Sequence, residues 1–469
     1  MQLPEIIKII SKTLWEHNAK AIVVGGSVRD HFLKLPHKDY DIEVYGLKSM
    51  DILENILRIY GSVNRVGKSF GVLKFFYDGE EYDFSFPRTE QKTGKGHRGF
   101  AVEVDGALSF KEAARRRDFT VNALGYDIEE KCFLDPFNAK KDMENRILRH
   151  IDDDSFTEDP LRVYRAVQFC ARLGYDLAEE TKDLCRQMLE AGMLEELPKE
   201  RVYEEFKKLL LKAPRPSIGF ELMRELGVLR YFPELEALIG VPQDPESHPE
   251  GDVWVHTMMS LDAMAGLCRL GCPHSDNPNT DKEKLKMFFT TLCHDLGKAV
   301  TTTIDEEGNI RAIGHEKTGI ELTERFMYRL TSEHSFIEGI LPLVEHHLKP
   351  SQFYKEGAKN KAILKLATKV NIEELVTVAK ANFLGCTAEE SLGGYYEAGE
   401  WLLEKAKILN VLNKPLDNLL QGRDLIALGL EPSPKFKTIL AKVYDLQIDG
   451  VLSTKEDALE YVKKEFLEV

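Results

Sequence analysis

The 469-residue sequence predicts an α/β head built on a small mixed sheet, followed by a long all-α neck, body and tail. Three observations carry this. Between Ala21 and about Tyr126, short β-type apolar runs alternate with amphipathic stretches. From about Asp159 onward the pattern becomes almost wholly helical. No repeat, low-complexity tract or long linker interrupts it. We place the head at residues 1–138, a helical neck at 139–225, a helical body at 226–408 and a helical tail at 409–469. Length alone suggests about three domains.

The elements follow in order. The opening "MQLPEIIKIISKTLWEH" is an amphipathic helix without the basic-then-apolar layout of a signal peptide. "AIVVGG" reads as a buried strand ending in glycines, "SVRDHFLKL" as a helix and "YDIEVYG" as a strand. "GVLKFFYDGEEYDFSF" reads as a hairpin turning at Asp78-Gly79. Helices are expected over "DPLRVYRAVQFCARLGY", "ERVYEEFKKLLLK" and "SIGFELMRELGVL". Prolines and acids in "VPQDPESHPEGD" open a new segment that holds most of the histidines, and "LNVLNKP" (Leu409 to Pro415) marks a last boundary.

A hydrophobic fraction of 43% and a charged fraction of 30% are those of a soluble globular protein. No apolar run approaches the roughly 20 residues of a membrane span, so no membrane partner is expected. Seven cysteines, odd in number and scattered, point to a reducing compartment and a cytoplasmic location. A formal charge of −15 argues against indiscriminate coating of nucleic acid. It is compatible with a local basic groove, because screening confines surface fields to roughly 8–10 Å. Basic clusters occur at "KTGKGHRG" (Lys92 to Gly99), "ARRRDF" (Ala114 to Phe119) and "FKKLLLKAPRP" (Phe206 to Pro216). No protein partner follows from the sequence.

"KDYDIEV" places Asp39, Asp41 and Glu43 on one face of a strand, with Tyr40, Ile42 and Val44 on the other. Such crowded carboxylates become favourable when a divalent cation sits on them, and an all-oxygen set suits Mg²⁺ with substrate phosphates. Upstream, Gly25 and Gly26 fall between strand and helix, where backbone N–H groups can approach a phosphate. Arg29 lies one turn inside that helix and can fork onto phosphate oxygens. Asp83 in "EYDFSF" offers a further ligand from a neighbouring strand.

In this order, "GGSVRD", "KDYDIEV", "ARRRDFTVNALGYD" and "EDPLRVYRAVQFCARLGY" resemble the bacterial tRNA nucleotidyltransferase and poly(A) polymerase family, whose head is of the DNA polymerase beta type. The resemblance implies template-independent addition of C and A to the tRNA 3′ end, with CTP and ATP as donors and Mg²⁺ as cofactor. It places the metal pair on Asp39 and Asp41, leaves Glu43 outside that pair, and puts Asp83 in the place of a third carboxylate. Gly26 and Arg29 match nucleotide-contacting positions, as does one arginine of Arg116-Arg117, with Arg117 favoured. Enzymes adding only A or only CC fit the same motifs. A poly(A) polymerase fits less well with the acidic balance and the absence of basic tails.

In "TEDPLRVYRAVQF", Asp159 precedes Pro160 as a helix cap would, and Arg162 and Arg165 follow at three-residue steps on one face. Cytosine and adenine each carry an exocyclic amine beside a ring-nitrogen acceptor, and uracil and guanine present the reverse. Asp159 can accept from that amine while Arg162 donates to the ring nitrogen, and the resemblance implies that these positions template the incoming base. Gln168 departs from the family, where relatives often carry another arginine. "KERVYEEF" (Lys199 to Phe206) resembles the helical motif that follows.

The body holds His256, the adjacent His294-Asp295, His315 and His346. Imidazole with carboxylate suits a transition metal such as Ni²⁺, Co²⁺ or Mn²⁺. The set resembles the HD phosphohydrolase domain that some family members carry, and a regulatory HD phosphohydrolase with a nucleotide-sensing head is the rival reading from another class. One departure stands out: Asn382 of "AKANFLG" occupies the place of the last Asp ligand. The expectation is therefore a metal centre with weak or absent phosphodiesterase activity. "CRLGCPH" (Cys268, Cys272, His274) has no fourth ligand at a recognisable spacing and reads as a loop after a helix. The tail resembles the segment that ends many family members, which implies a role in holding the body of tRNA.

Overall fold

The computed structural model describes residues 1–36, 39–66, 71–92, 100–104, 108–270 and 281–467. Most of the basic cluster Lys92 to Gly99, together with Cys272 and His274, lies outside the described residues. The chain divides into two compact units: residues 1–213 with 218–228, and residues 214–217 with 229–469. Among the described residues, no helix is long and apolar enough to cross a membrane.

The first unit is built on a seven-stranded mixed sheet. Its strands are β1 (Lys20–Val24), β2 (Asp41–Tyr45), β3 (Ser62–Val66), β4 (Val72–Tyr77) and β5 (Glu80–Ser85), joined by β8 (Gly125–Asp127) and β9 (Cys132–Leu134). A separate antiparallel pair, β6 (Arg88–Lys92) and β7 (Phe100–Val104), intervenes in the chain. The spatial order is β3-β4-β5-β2-β1-β8-β9. β2 runs antiparallel to β1 and parallel to β5, so two acid-bearing strands lie side by side. The alternation read from the sequence holds on β2: Ile42 and Val44 are fully buried while Asp41 reaches solvent. The β4–β5 hairpin turns at Asp78 (φ 51°) and Gly79 (φ 81°). Positive φ at both central residues is what a type I′ turn requires, and Asp-Gly supplies it.

After the sheet the first unit is helical. The Asp153–Glu158 helix leads through Asp159 and Pro160 into Leu161–Leu173, and this packs on Lys199–Lys212. In the second unit, the Val253–Leu270 helix packs against Asp281–Cys293 and Ile372–Leu384. The helices His315–Leu330 and His334–His346 pack on one another beside them. The chain ends on the Lys435–Ile448 and Lys455–Phe466 helices, which share a small core of Leu425, Ile439, Val443, Ala458 and Val462. Thr454 and Asp457 start the last helix with a reciprocal capping box.

Candidate functional site

The register of the sheet sets the first site. Asp41 on β2 lies opposite Asp83 on β5, so both carboxylates emerge on the same face of adjacent strands. Asp39 sits just before β2 and is exposed. Burial raises the Asp41 pKa; Arg117 pulls against this, and the charges of Asp83, Asp39 and Glu43 add to it. Burial likewise raises Asp83 against the pull of Lys74, with Glu81 and Asp39 adding. Asp83 Oδ1 is buried and has no hydrogen-bond partner among the described residues. An unpartnered carboxylate oxygen beside a desolvated, mutually repelling pair fits a divalent cation of the Mg²⁺ kind.

This fit has a consequence that can be measured. A raised folded pKa means the ionised carboxylate is disfavoured in the metal-free fold. That penalty is absent below the ordinary Asp value of about 3.9 and grows as pH rises through the raised value. Mg²⁺ relieves it. The rise in melting temperature on adding Mg²⁺ is therefore expected to be larger at neutral pH than near pH ~4, and Asp41→Asn is expected to remove most of that difference. An Mg²⁺ increment that is equal at both pH values would contradict the assignment.

Glu43 has a different task. Its Oε1 accepts from Arg117 Nη2 at 2.7 Å and its Oε2 from the Tyr45 hydroxyl at 2.6 Å. Arg117 also donates to the Asn122 carbonyl at 3.2 Å, so Glu43 and Asn122 together fix Arg117 beside the Asp41 carboxylate. Gly25 (φ +73°) turns the chain there. The positive φ favours glycine, and a Cβ there would also push on the Arg117 guanidinium, whose Nη1 it would meet at 2.9 Å. Arg29 is buried, bonded to Asp30 and to Asn122 Oδ1 at 2.7 Å, and rests on the Phe169 ring.

A cavity of about 590 Å³ opens over these groups. From the head it takes Gly25, Gly26, Arg29, Asp41, Arg116 and Arg117. From the neck come Asp159, Arg162 and Arg165, together with Arg172 and Arg201, which the sequence reading did not single out. Its size suits a nucleotide, and its excess of guanidinium suits phosphate.

The neck residues are held in place. Asp159 Oδ1 accepts from the Leu161 N–H at 3.2 Å and Oδ2 accepts from Arg201 Nη2 at 2.9 Å. Arg162 donates Nη1 to the Ser155 carbonyl and Nη2 to the Arg116 carbonyl, each at 2.7 Å. Arg165 forks onto Asp118 Oδ2, and Asp118 Oδ1 accepts from Asn122 Nδ2 at 2.9 Å. Burial alone would raise Asp118, yet Arg165 and Asn122 outweigh it and hold its carboxyl below the usual range. Gln168 is buried and does not line the cavity.

The second unit gathers its histidines around Asp295. His294 Nδ1 donates to the Thr291 carbonyl, His315 Nδ1 to Ala312 and His347 Nδ1 to Val344, each at 2.7 Å. This fixes one tautomer and turns each Nε2 lone pair inward, where all three nitrogens are buried without a hydrogen-bond partner. His294 Nε2 lies 3.2 Å from Asp295 Oδ2, and His315 Nε2 lies 3.3 Å from Oδ1. Burial pushes His347 down to about 3, which keeps it neutral and able to ligate. Gly297 lets the His315 helix come close, since a Cβ there would meet the His315 carbonyl at 2.0 Å.

One residue read from the sequence does not join this group. His346 ends its helix beside Glu345, 3.7 Å away, and it is His347 that faces Asp295, 3.9 Å from Oδ1. Successive helical residues point about 100° apart, so only one of two adjacent histidines can face inward. His256 joins from the Val253–Leu270 helix, with Nδ1 2.8 Å from Glu250 Oε1 and Nε2 2.8 Å from Asn382 Oδ1. His248, Glu250 and Lys298 complete the surroundings and were not singled out beforehand.

Three stretches of the chain match known families. Residues 21–149 match the family described as the poly A polymerase head domain, residues 174–239 that described as the probable RNA and SrmB-binding site of polymerase A, and residues 253–381 the HD domain. The chain is 36% identical over 374 residues to the multifunctional CCA protein of Pasteurella multocida (strain Pm70), spanning 79% of this chain and 83% of that one. Its fold is similar to the Bacillus stearothermophilus CCA-adding enzyme in complex with CTP (TM-score 0.65, 21% identity, covering 99% and 98% of the two chains). It is also similar to the Thermotoga maritima CCA-adding enzyme complexed with tRNA (TM-score 0.59, 20% identity, covering 98% and 96%).

Proposed function

The chain belongs to the family of the multifunctional CCA protein, and from that premise we propose that it is a template-independent nucleotidyltransferase that adds C and A, as CCA, to the 3′ end of tRNA from CTP and ATP. The observation that carries this is one cavity over Asp41 in which Arg29, Arg116 and Arg117 of the head meet Asp159 and Arg162 of the neck.

Asp39 and Asp41 would hold Mg²⁺, with Asp83 beside them, and the ion would supply charge neutralisation at the transferring phosphate. Arg29 and Arg117 receive the triphosphate, each with its guanidinium already oriented by Asn122 and by Asp30 or Glu43. Asp159 and Arg162 present an acceptor and a donor to the Watson–Crick edge of the incoming base. Three of the five N–H donors of Arg162 serve Ser155 and Arg116, which leaves donors on Nε and Nη2 for that base. The tail, residues 409–469, is read as gripping the tRNA body, and the cytoplasm is the compartment where such a substrate is met.

The test is incorporation of labelled CTP and ATP, with Mg²⁺, into tRNA lacking CCA and into an unrelated RNA with a free 3′ hydroxyl. Short, tRNA-dependent addition is expected. Long A tails on either RNA would favour the poly(A) polymerase reading instead.

For the HD domain the residue at 382 decides the expectation. Asn382 offers a neutral amide where a carboxylate would compensate metal charge. Hydrolysis of 2′,3′-cyclic nucleotides with added Ni²⁺, Co²⁺ or Mn²⁺ is expected to be weak or absent, and Asn382→Asp is expected to increase it. Brisk turnover by the wild-type chain would contradict this.

A further inference from the structure

Asp295 has two faces, and the structure treats them differently. Its Oδ2 side looks toward His294 (3.2 Å) and His256 (3.8 Å). Its Oδ1 side looks toward His315 (3.3 Å) and His347 (3.9 Å). Each side gathers three potential ligands, so a two-ion centre bridged by Asp295 is the arrangement the geometry invites.

Three observations count against an ion on the Oδ2 side, although His294 Nε2 there is as unpartnered as its counterparts on the other side. His256 is already used at both nitrogens: Glu250 takes Nδ1 and the Asn382 amide lies 2.8 Å from Nε2. Asp295 Oδ2 is paired with the Lys298 ammonium at 2.8 Å, and Lys298 is itself held by Gln243 Oε1 at 2.8 Å. The fourth group, Asn382, brings no charge. A dication there would have to break the His256–Asn382 bond, displace Lys298 and share one carboxylate with a second dication a few ångström away.

The Oδ1 side has none of these obstacles. His315 Nε2 and His347 Nε2 are buried and unpartnered, and both rings are locked through Nδ1 to backbone carbonyls. Ligands about 2.0–2.2 Å from one ion lie roughly 3.0–3.5 Å apart; His315 Nε2 already has that spacing from Oδ1 at 3.3 Å, and His347 Nε2, at 3.9 Å, would have to draw in by about half an ångström.

We propose that this chain binds one transition-metal ion rather than two in its histidine centre. Asp295, His315 and His347 hold it, and Glu250, His256 and Asn382 form a hydrogen-bonded strut in place of the second ion's ligand set. The proposal rests on reading the cluster as a metal centre.

The test uses the full chain carrying Asp39→Asn and Asp41→Asn, so that the head's carboxylates contribute no binding. After removal of metal by chelator, Co²⁺ is titrated by equilibrium dialysis with metal analysis, and imidazole ligation is followed by visible absorbance. One equivalent is expected. His315→Gln or His347→Gln is expected to weaken it by at least about 100-fold, and Asn382→Asp is expected to raise the count to two. Two equivalents in the unaltered centre, or one that survives both glutamine substitutions, overturns the single-ion assignment. A count that stays at one in Asn382→Asp overturns the role given to Asn382. No binding at all overturns the metal-centre reading itself. Melting curves report whether a substituted chain is folded, and if the glutamine variants unfold, the comparison with Asn382→Asp decides.

Discussion

Asp39→Ala and Asp41→Ala are each expected to lower nucleotide addition by at least about 10³-fold in kcat, with folding and tRNA binding largely intact. Asp41 opens β2 opposite Asp83, with Asp39 just before the strand, and burial and neighbouring acids disfavour the charges of Asp41 and Asp83. Among the described residues Arg117 is the one cation drawn to Asp41, and Glu43 and Asn122 hold it independently, so removing the acids should leave the fold intact. Glu43→Ala is expected to keep substantial activity, with a loss of about tenfold, because Glu43 spends both oxygens on Arg117 and Tyr45 and acts through Arg117. Single-turnover rates at saturating CTP separate these cases. An inactive Glu43→Ala beside an active Asp39→Ala would shift the metal pair by one strand repeat and overturn the assignment.

The second large effect concerns base choice. Asp159→Ala and Arg162→Ala are expected to slow use of CTP and ATP and to raise relative use of UTP and GTP. In the intact site a wrong base leaves buried donors and acceptors unpaired, at about 1–3 kcal/mol for each. Truncation removes that penalty together with the matching bond. Both side chains are already held in the structure: Arg201 and the Leu161 N–H fix the Asp159 carboxylate, and two backbone carbonyls fix the Arg162 guanidinium. Ratios of kcat/KM for the four nucleotides measure the effect. Unchanged ratios in both folded variants would refute reading of the base by these side chains.

Much of the head was legible because its signals are local. Alternation along "YDIEVYG" set the face of β2, and Asp-Gly set the turn between β4 and β5. The second-unit cluster was legible in outline from His294-Asp295, but its phase was not. Choosing between His346 and His347 needs the rotation of a helix to within a fraction of a turn, and that is set by packing on the neighbouring helix. Arg201 was missed for a related reason. It lies 42 residues from Asp159 and reaches it only because the Leu161–Leu173 and Lys199–Lys212 helices pack together. Asn122 was hidden inside a recognised motif; its side chain and carbonyl join Arg29, Asp118 and Arg117, which no spacing rule announces.

The central claim, stepwise addition of CCA, is tested most directly with tRNA ending at each of four points: complete CCA, or lacking its last one, two or three nucleotides, incubated with each nucleotide alone. CTP alone is expected to extend the two shortest forms to CC, ATP alone to extend only the form ending in CC, UTP and GTP to extend none, and complete tRNA to stay unchanged. Addition of A without C, or of CC that ATP does not then complete, would contradict the claim.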